Sequence, residues 1–198
     1  MTAGDLSAVV RAARGGDQEA FRTLYREVQP GLLRYLRGLV GDDAEDLASE
    51  TWLQIARDIR TFRDEGAGFR GWAATIGRHR ALDHLRRNQR RPAIGFSDDV
   101  LADLPDTQDT ADQVIRIAAT NATIAFIATL PRDQAEAVLL RVVVGLDAKA
   151  TAQVMGKRPG AVRTAAWRGL RTLAERLEQA QDGVGVTRTP AGTPRKAR

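Results

Sequence analysis

Between Asp17 and Val28 the apolar residues Phe21, Leu24, Tyr25 and Val28 recur at intervals of three and four, the spacing that aligns side chains on one helix face. Asp17 stands where an N-cap belongs, and Glu19 falls in the first turn against the positive end of the helix dipole. Pro30 interrupts, and Leu32, Leu33, Leu36 and Leu39 continue the stripe to Gly41, so the pattern predicts one kinked helix or two abutting ones. Asp42, Asp43, Glu45 and Asp46 crowd the start of the next helix, whose inward residues are Leu47, Ile55, Ile59 and Phe62. After Gly66, Ala67 and Gly68 a further helix carries Phe69, Trp72, Ala73, Ile76, Leu82 and Leu85 as far as Pro92. Residues 1–92 are therefore expected to form a helical bundle.

Residues 93–111 keep no period and include Pro105, which marks a linker. Helical spacing returns over 112–180 with Val114, Ile117, Ala118, Asn121, Ile124 and Ile127. Leu130 and Pro131 break it, and Ala135, Val138, Leu139 and Val142 resume it. The last unit is a short helix ending near Met155, a turn at Gly156 and a second helix from Pro159. Its inward residues are Val162, Ala165 or Ala166, Leu170 and Leu173. The Gly-, Pro- and Thr-rich tail 181–198 can bury little and is expected to be disordered. The fold class expected is all-α: two helical domains joined by a flexible linker.

Composition narrows the chemistry. The 198 residues are 43% hydrophobic and contain no cysteine, which excludes a disulfide framework, thiolate metal ligands and a cysteine nucleophile. The two histidines, His79 and His84, have only Asp83 nearby, so no metal and no cofactor are expected. No apolar run approaches the roughly 18 residues of a membrane span, and the N-terminus has no leader-like hydrophobic stretch, so a cytoplasmic protein without membrane insertion is expected. The net charge of +5 is unevenly spread: +3 over 1–91, −6 over 97–114, +5 over 115–181 and +3 over 182–198. Two basic bodies flank an acidic strap, which suits separate polyanion-binding patches because phosphate attraction is screened within about 10 Å at 0.1 M salt.

The strongest chemical signal is DAKATAQVMGKRPGAVRTAAWRGLRTL, residues 147–173. Ala152 four before the turn glycine and Val162 six after it provide the close helix crossing of a helix-turn-helix. Lys157, Arg158, Arg163, Thr164, Arg168 and Arg171 are left on the turn and the outer face, as a helix presented to a major groove requires. The alternative is an ordinary helical hairpin with a solvated basic face. A second basic concentration comprises Arg78, His79, Arg80, His84, Arg86, Arg87, Arg90 and Arg91. Asp83 within it reads as an intrahelical partner of Arg80, Arg86 or Arg87. Phe62, Phe69 and Trp72 read either as core or as a stacking platform for unpaired bases.

The segments DDAEDLASETWLQIARDIRTFR, FRGWAATIGRHRALDHLRR and TLPRDQAEAVLLRVVVGLDAKATAQVMGKRPGAVRTAAWRGLRTL resemble regions two and four of sigma-70 family sigma factors of the extracytoplasmic-function group. The resemblance covers residues 5–178 in the expected order. It implies a promoter-specificity subunit of RNA polymerase without catalytic activity of its own. By position, Asp43, Asp46, Leu47, Glu50, Leu53 and Gln54 would grip the clamp helices of the largest core subunit. Phe62, Arg63, Phe69, Trp72, His79, Arg80, Asp83, Arg86 and Arg87 would take the minus-ten element, including a flipped base. Lys157, Arg158, Arg163, Thr164, Trp167, Arg168 and Arg171 would read the minus-thirty-five duplex, with the flap of the second core subunit and an anti-sigma factor as further implied partners. A stand-alone regulator would leave the acidic third-helix surface and the basic fourth helix without paired roles. A metal-dependent nuclease needs converging carboxylates, whereas Asp42 to Asp46 read as charge at a helix start.

Overall fold

The computed structural model describes residues 3–63, 68–90 and 111–184. Eight α-helices lie within them: α1 (Ala3–Arg14), α2 (Gln18–Val40), α3 (Ala44–Asp58), α4 (Gly68–Arg90), α5 (Ala111–Ala128), α6 (Arg132–Val138), α7 (Ala148–Met155) and α8 (Pro159–Val184). The first helix was not foreseen; Leu6, Val10 and Ala13 form its buried face. Asp17 caps α2, its Oδ1 accepting from the Glu19 and Ala20 amides at 2.9 and 3.1 Å. Pro30 does not split the segment, because α2 runs unbroken to Val40. The third predicted helix begins as a 3-10 turn over Gly41–Asp43 and closes in another over Ile59–Thr61.

Leu24, Val28, Leu32 and Leu36 of α2 meet Leu47, Ile55 and Ile59 of α3 or its end and Phe69, Ala73 and Ile76 of α4. Truncating a fully buried leucine such as Leu36 costs about 2–5 kcal/mol, so this stripe carries much of the first module's stability. Tyr25, expected inward, is exposed, lying at the edge of the stripe beside Trp52.

In the second module α6 ends in a π-turn over Leu139–Val143 that carries Leu139 and Leu140 into the core while Val142, expected inward, points to solvent. On α5 Ile124 and Ile127 are buried, but Ile117 and Asn121 are not, since from residue 117 onward it is the last turns of the helix that are covered. Gly156 has φ +64° and caps α7, a backbone conformation that costs a side chain about 1–2 kcal/mol. On α8 the inward line is Val162, Ala166, Gly169 and Leu173; Leu170 is exposed. The helix approaches α6 so closely at Gly169 that a Cβ there would sit 2.9 Å from Val138 Cγ2. That contact turns the face by one residue and puts Leu170 outside.

The expected linker, 93–111, lies outside the described residues except for Ala111, which begins α5. Of the expected disordered tail, residues 181–184 continue α8 and 185–198 lie outside the described residues. The two modules share one hydrophobic core, with α2 and α4 packed against α5, α6, the π-turn and α7.

Candidate polymerase and promoter interfaces

Helix α3 turns Asp43 at its cap and Asp46, Glu50 and Leu53 outward at three- and four-residue steps, an acidic strip ending in a largely exposed leucine. Gln54 is half-buried beside it, and Leu47 faces the core, so it shares no surface with the others. The strip is stitched to α4. Arg80 donates from Nη1 to Glu50 Oε2 at 2.6 Å and from Nη2 to Gln54 Oε1 at 3.0 Å. His84 Nε2 lies 2.8 Å from Asp43 Oδ2.

On α4 the side chains of His79, Asp83, Arg86 and Arg87 are exposed. Arg86 bonds Asp83 at 2.9 Å, an i,i+3 pair on a solvated surface worth about 0.2–0.5 kcal/mol. Arg78, counted with the basic face in the sequence, turns inward instead and pairs with Glu136 of α6. Arg63 is exposed at the start of the gap between α3 and α4, and residues 64–67 lie outside the described residues.

Phe62 and Phe69, at the two ends of that gap, are buried and pack edge to face with centroids 5.7 Å apart. Trp72 is half-buried and stacks tilted on Phe62 at 4.9 Å. Trp52 joins the cluster to α2 through Tyr25 at 4.9 Å and Phe21 at 5.9 Å, and its Nε1 donates to Gln29 Oε1 at 2.6 Å. The aromatic cluster thus ties together the residues on the two sides of that gap. Its tryptophan hub was legible only as a residue on the third helix.

In the second module Asp147 caps α7, its Oδ1 accepting from the Ala150 amide at 2.7 Å. The Lys157 amide closes the turn onto Ala152 O at 2.9 Å, and its ammonium pairs with Asp133 of α6. Arg158, Arg163, Thr164, Trp167, Arg168 and Arg171 all lie on the exposed side of the turn and α8. Trp167 is 59% exposed, with the Arg171 guanidinium 5.5 Å from its ring centroid and Arg171 also bonded to Glu175 at 2.8 Å. Arg158, Arg163 and Arg168 have no ion partner among the described residues. They are therefore available to an external anion.

The sequence matches Sigma-70 region 2 over residues 24–91 and Sigma-70, region 4 over residues 121–173. It is 33% identical to the ECF RNA polymerase sigma factor ShbA of Streptomyces griseus over 183 residues, which is 88% of this chain and 96% of that protein. It is 34% identical to the ECF RNA polymerase sigma factor SigD of Mycobacterium tuberculosis over 89% of this chain and 86% of that protein. The chain belongs to the extracytoplasmic-function group of the sigma-70 family. It is also 34% identical to the sigma factor BldN of Streptomyces coelicolor, over 85% of this chain but only 64% of that longer protein. The fold is similar to that of CnrH solved with the cytosolic domain of CnrY, at a TM-score of 0.61 and 20% identity, over 87% of this chain and 96% of that one.

As an alternative sigma factor the protein directs promoter recognition and transcription initiation. The acidic strip of α3, the aromatic cluster and the basic face of α4 fall within region 2, and the helix-turn-helix falls within region 4. Among the described residues no helix of this sigma factor is long and apolar enough to cross a membrane.

The sequence reading missed a buried polar group that joins the two regions. Glu136 of α6 accepts from Tyr35 Oη at 2.9 Å and from Arg78 Nε at 2.6 Å, with Arg78 Nη2 at 3.5 Å. Burial raises the Tyr35 phenol well above its ordinary pKa, and the neighbouring Glu136 charge pushes it the same way. Burial lowers the pKa of Arg78, but its bond to Glu136 and that residue's charge more than offset this, for a net rise. A lone glutamate inside the apolar run QAEAVLL was the only hint of it in the sequence.

Proposed function

We propose that region 2 of this sigma factor binds core RNA polymerase through Asp43, Asp46, Glu50, Leu53 and Gln54. Exposed carboxylates beside an apolar residue suit a basic, partly hydrophobic clamp surface, which would be met by the largest subunit's clamp helices. Arg63, His79, Arg80, Arg86 and Arg87 hold the backbone of an opened minus-ten strand. The segment from Phe62 to Phe69, with Trp72 beside its two ends, receives an unstacked base, a role in which aromatic faces and cations act together. Region 4 reads the minus-thirty-five duplex with Lys157, Arg158, Arg163, Thr164, Trp167, Arg168 and Arg171, and seats on the flap of the second core subunit.

The observation that carries this reading is the set of exposed arginines on the turn and α8, Arg158, Arg163 and Arg168, which have no ion partner among the described residues. An arginine aimed at guanine bonds O6 and N7 together and discriminates by about 1–3 kcal/mol. Polymerase supplies the catalysis and this chain adds none. It works in the cytoplasm, where an anti-sigma protein restrains it, as the complexes of CnrH and of the Bartonella quintana RpoE with NepR suggest by analogy.

In vitro transcription with core polymerase over a genomic promoter pool, with start sites mapped, tests the whole assignment. Specific starts that depend on the chain are expected. Asp46→Arg combined with Glu50→Arg should abolish core association at unchanged helical content, because like charges set against a basic surface cost several kcal/mol. Footprinting of a duplex by the chain alone, with no effect of added core, would point to a stand-alone regulator instead.

A further inference from the structure

Helix α8 outruns the body it packs on. Val162, Ala166, Gly169 and Leu173 hold it against α6 and α7, and Leu173 is the last of its described side chains to be buried, yet the helix continues to Val184. Every described side chain beyond Leu173, residues 174–180, is exposed, and Arg176 ties this stretch to the body by donating to Thr129 at 2.6 Å. Short helices without packing are marginal in water, so an extension of this kind calls for a partner surface.

The apolar residues that α8 leaves in water fall on one line. Trp167, Leu170, Ala174 and Leu177 are separated by three, four and three, and the two leucines are 47% and 52% exposed. Such spacing over three turns makes the narrow seam of a two-helix pair, not the broader face a helix lays on a globular core. No described element covers it.

The charges beside this line choose the occupant. Arg171 and Glu178 lie on the same side of it, seven residues apart and opposite in sign. Arg171 spends Nε on Glu175 at 2.8 Å and keeps its two Nη groups for another acceptor, while Glu178 has no ion partner among the described residues. Two copies laid antiparallel, with a two-fold axis between Ala174 and Glu175, set Arg171 of each level with Glu178 of the other. The same register brings Leu170 of one copy beside Leu177 of the other, with the small Ala174 at the crossing, where the helices come closest. A parallel pair would set no acid opposite Arg171, whose neighbours across the line would be Ala166 and Leu173.

We propose that this line pairs two copies of the free sigma factor, antiparallel along the second half of α8. Trp167 heads the line and Arg171 flanks it, and both belong to the set proposed above to read the minus-thirty-five duplex. On that reading, a paired chain has its DNA face partly covered. A contact of about three helical turns falls at the low end of interface sizes, under about 1,200 Å², so the pair is weak, reversible and dependent on concentration.

Sedimentation velocity of the full chain over a concentration series measures the pair directly. The wild type should pass from a 21.6 kDa monomer to a species of twice that mass. Leu177→Gln and Glu178→Arg change exposed side chains outside the proposed DNA set, with circular dichroism confirming equal helical content. Because the two-fold axis applies each substitution twice, Leu177→Gln should weaken pairing about tenfold or more and Glu178→Arg about 2- to 30-fold. The chain has no cysteine, so Ala174→Cys, at the crossing, should oxidise to a disulfide-linked dimer. Ala180→Cys should not, since its mate lies about 16 Å away along the axis in this register.

A wild type that stays monomeric at every concentration, or a Leu177→Gln chain that pairs as tightly as wild type, would overturn the pair and leave the line to a different protein. Linkage of both cysteine variants would overturn the antiparallel register. Anisotropy with a labelled duplex reads the coverage: Leu177→Gln should bind more tightly than wild type at concentrations where the wild type is paired, and equally below them. Should no form bind duplex, the reading of region 4 fails, and sedimentation still decides whether the chain pairs.

Discussion

Arg80 and Glu50 are each other's partner: Nη1 of the arginine donates to Oε2 of the glutamate at 2.6 Å, across the gap between α4 and α3. The first is proposed to hold promoter DNA and the second to touch polymerase. Arg80 Nη2 is also taken, by Gln54 Oε1, while its buried Nε has no acceptor. In the free sigma factor the cation proposed to face DNA is therefore spent on the strip proposed to face polymerase. A basic clamp surface arriving at Glu50 would release Arg80 toward a phosphate.

Glu50→Gln is accordingly expected to weaken core association and yet to raise the affinity of the free chain for single-stranded minus-ten DNA. Exposed ion pairs contribute about 0.2–1 kcal/mol, so the gain should be roughly 1.5- to 5-fold. Fluorescence anisotropy with a labelled oligonucleotide measures it. Arg80→Ala should lose affinity in either background, and equal binding by wild type and Glu50→Gln would mean the pair does not compete with DNA.

Region 4 gives a sharper test of sequence reading. Arg163 lies in the second turn of α8, exposed and without an ion partner among the described residues. Arg163→Ala should relax preference at one or two adjacent upstream positions while a promoter with a strengthened minus-ten element remains active. Selection from a randomised upstream library, run with wild type and with Arg158→Ala, Arg163→Ala and Arg168→Ala, separates base readers from phosphate contacts. Uniform loss in all three, with the selected sequence unchanged, would assign the helix to backbone positioning.

The turn between α7 and α8 isolates a backbone effect. A Cβ at Gly156 would meet nothing within 4 Å, yet its φ is +64°. Gly156→Ala should thus destabilise region 4 by about 1–2 kcal/mol through conformation alone. A lowered Tm with unchanged helical content at low temperature is expected; an unshifted Tm would mean the turn can relax to negative φ.

Tyr35 sets a pH limit. Its phenol titrates well above the usual 10.0 when folded, burial being the main cause and Glu136 the next. A group with a raised folded pKa contributes its stability fully below the unfolded value and loses it as pH climbs toward the folded one. Stability should therefore fall as pH rises above about 10. Tyrosinate absorbance followed in a Tyr25→Phe background, where Tyr35 is the one tyrosine left, should rise late and together with loss of helix. Titration at the ordinary value, ahead of unfolding, would show that the contact between the modules admits water.

The sequence by itself determined the elements whose cause is local. Asp17 and Asp147 cap α2 and α7 because a short carboxylate reaches nearby amides wherever it stands at a helix start. Gly156 ends α7 because little else tolerates its φ, and Ala152 with Val162 announced the crossing of α7 and α8. The exposed acidic strip and the basic outer face of α8 could be read because a charge without a buried partner stays in water, on the side of the helix opposite its apolar stripe. Only the tertiary structure decided which way neighbouring faces turned. Gly169 let α8 close on Val138 and left Leu170 outside, and Arg78 left the basic face because Glu136, fifty-eight residues away, offered a buried partner. Glu136 itself looked like one polar residue in an apolar run. Its burial is tolerable only because two donors from another module converge on it, and helical periodicity carries no information about a partner so distant in the chain.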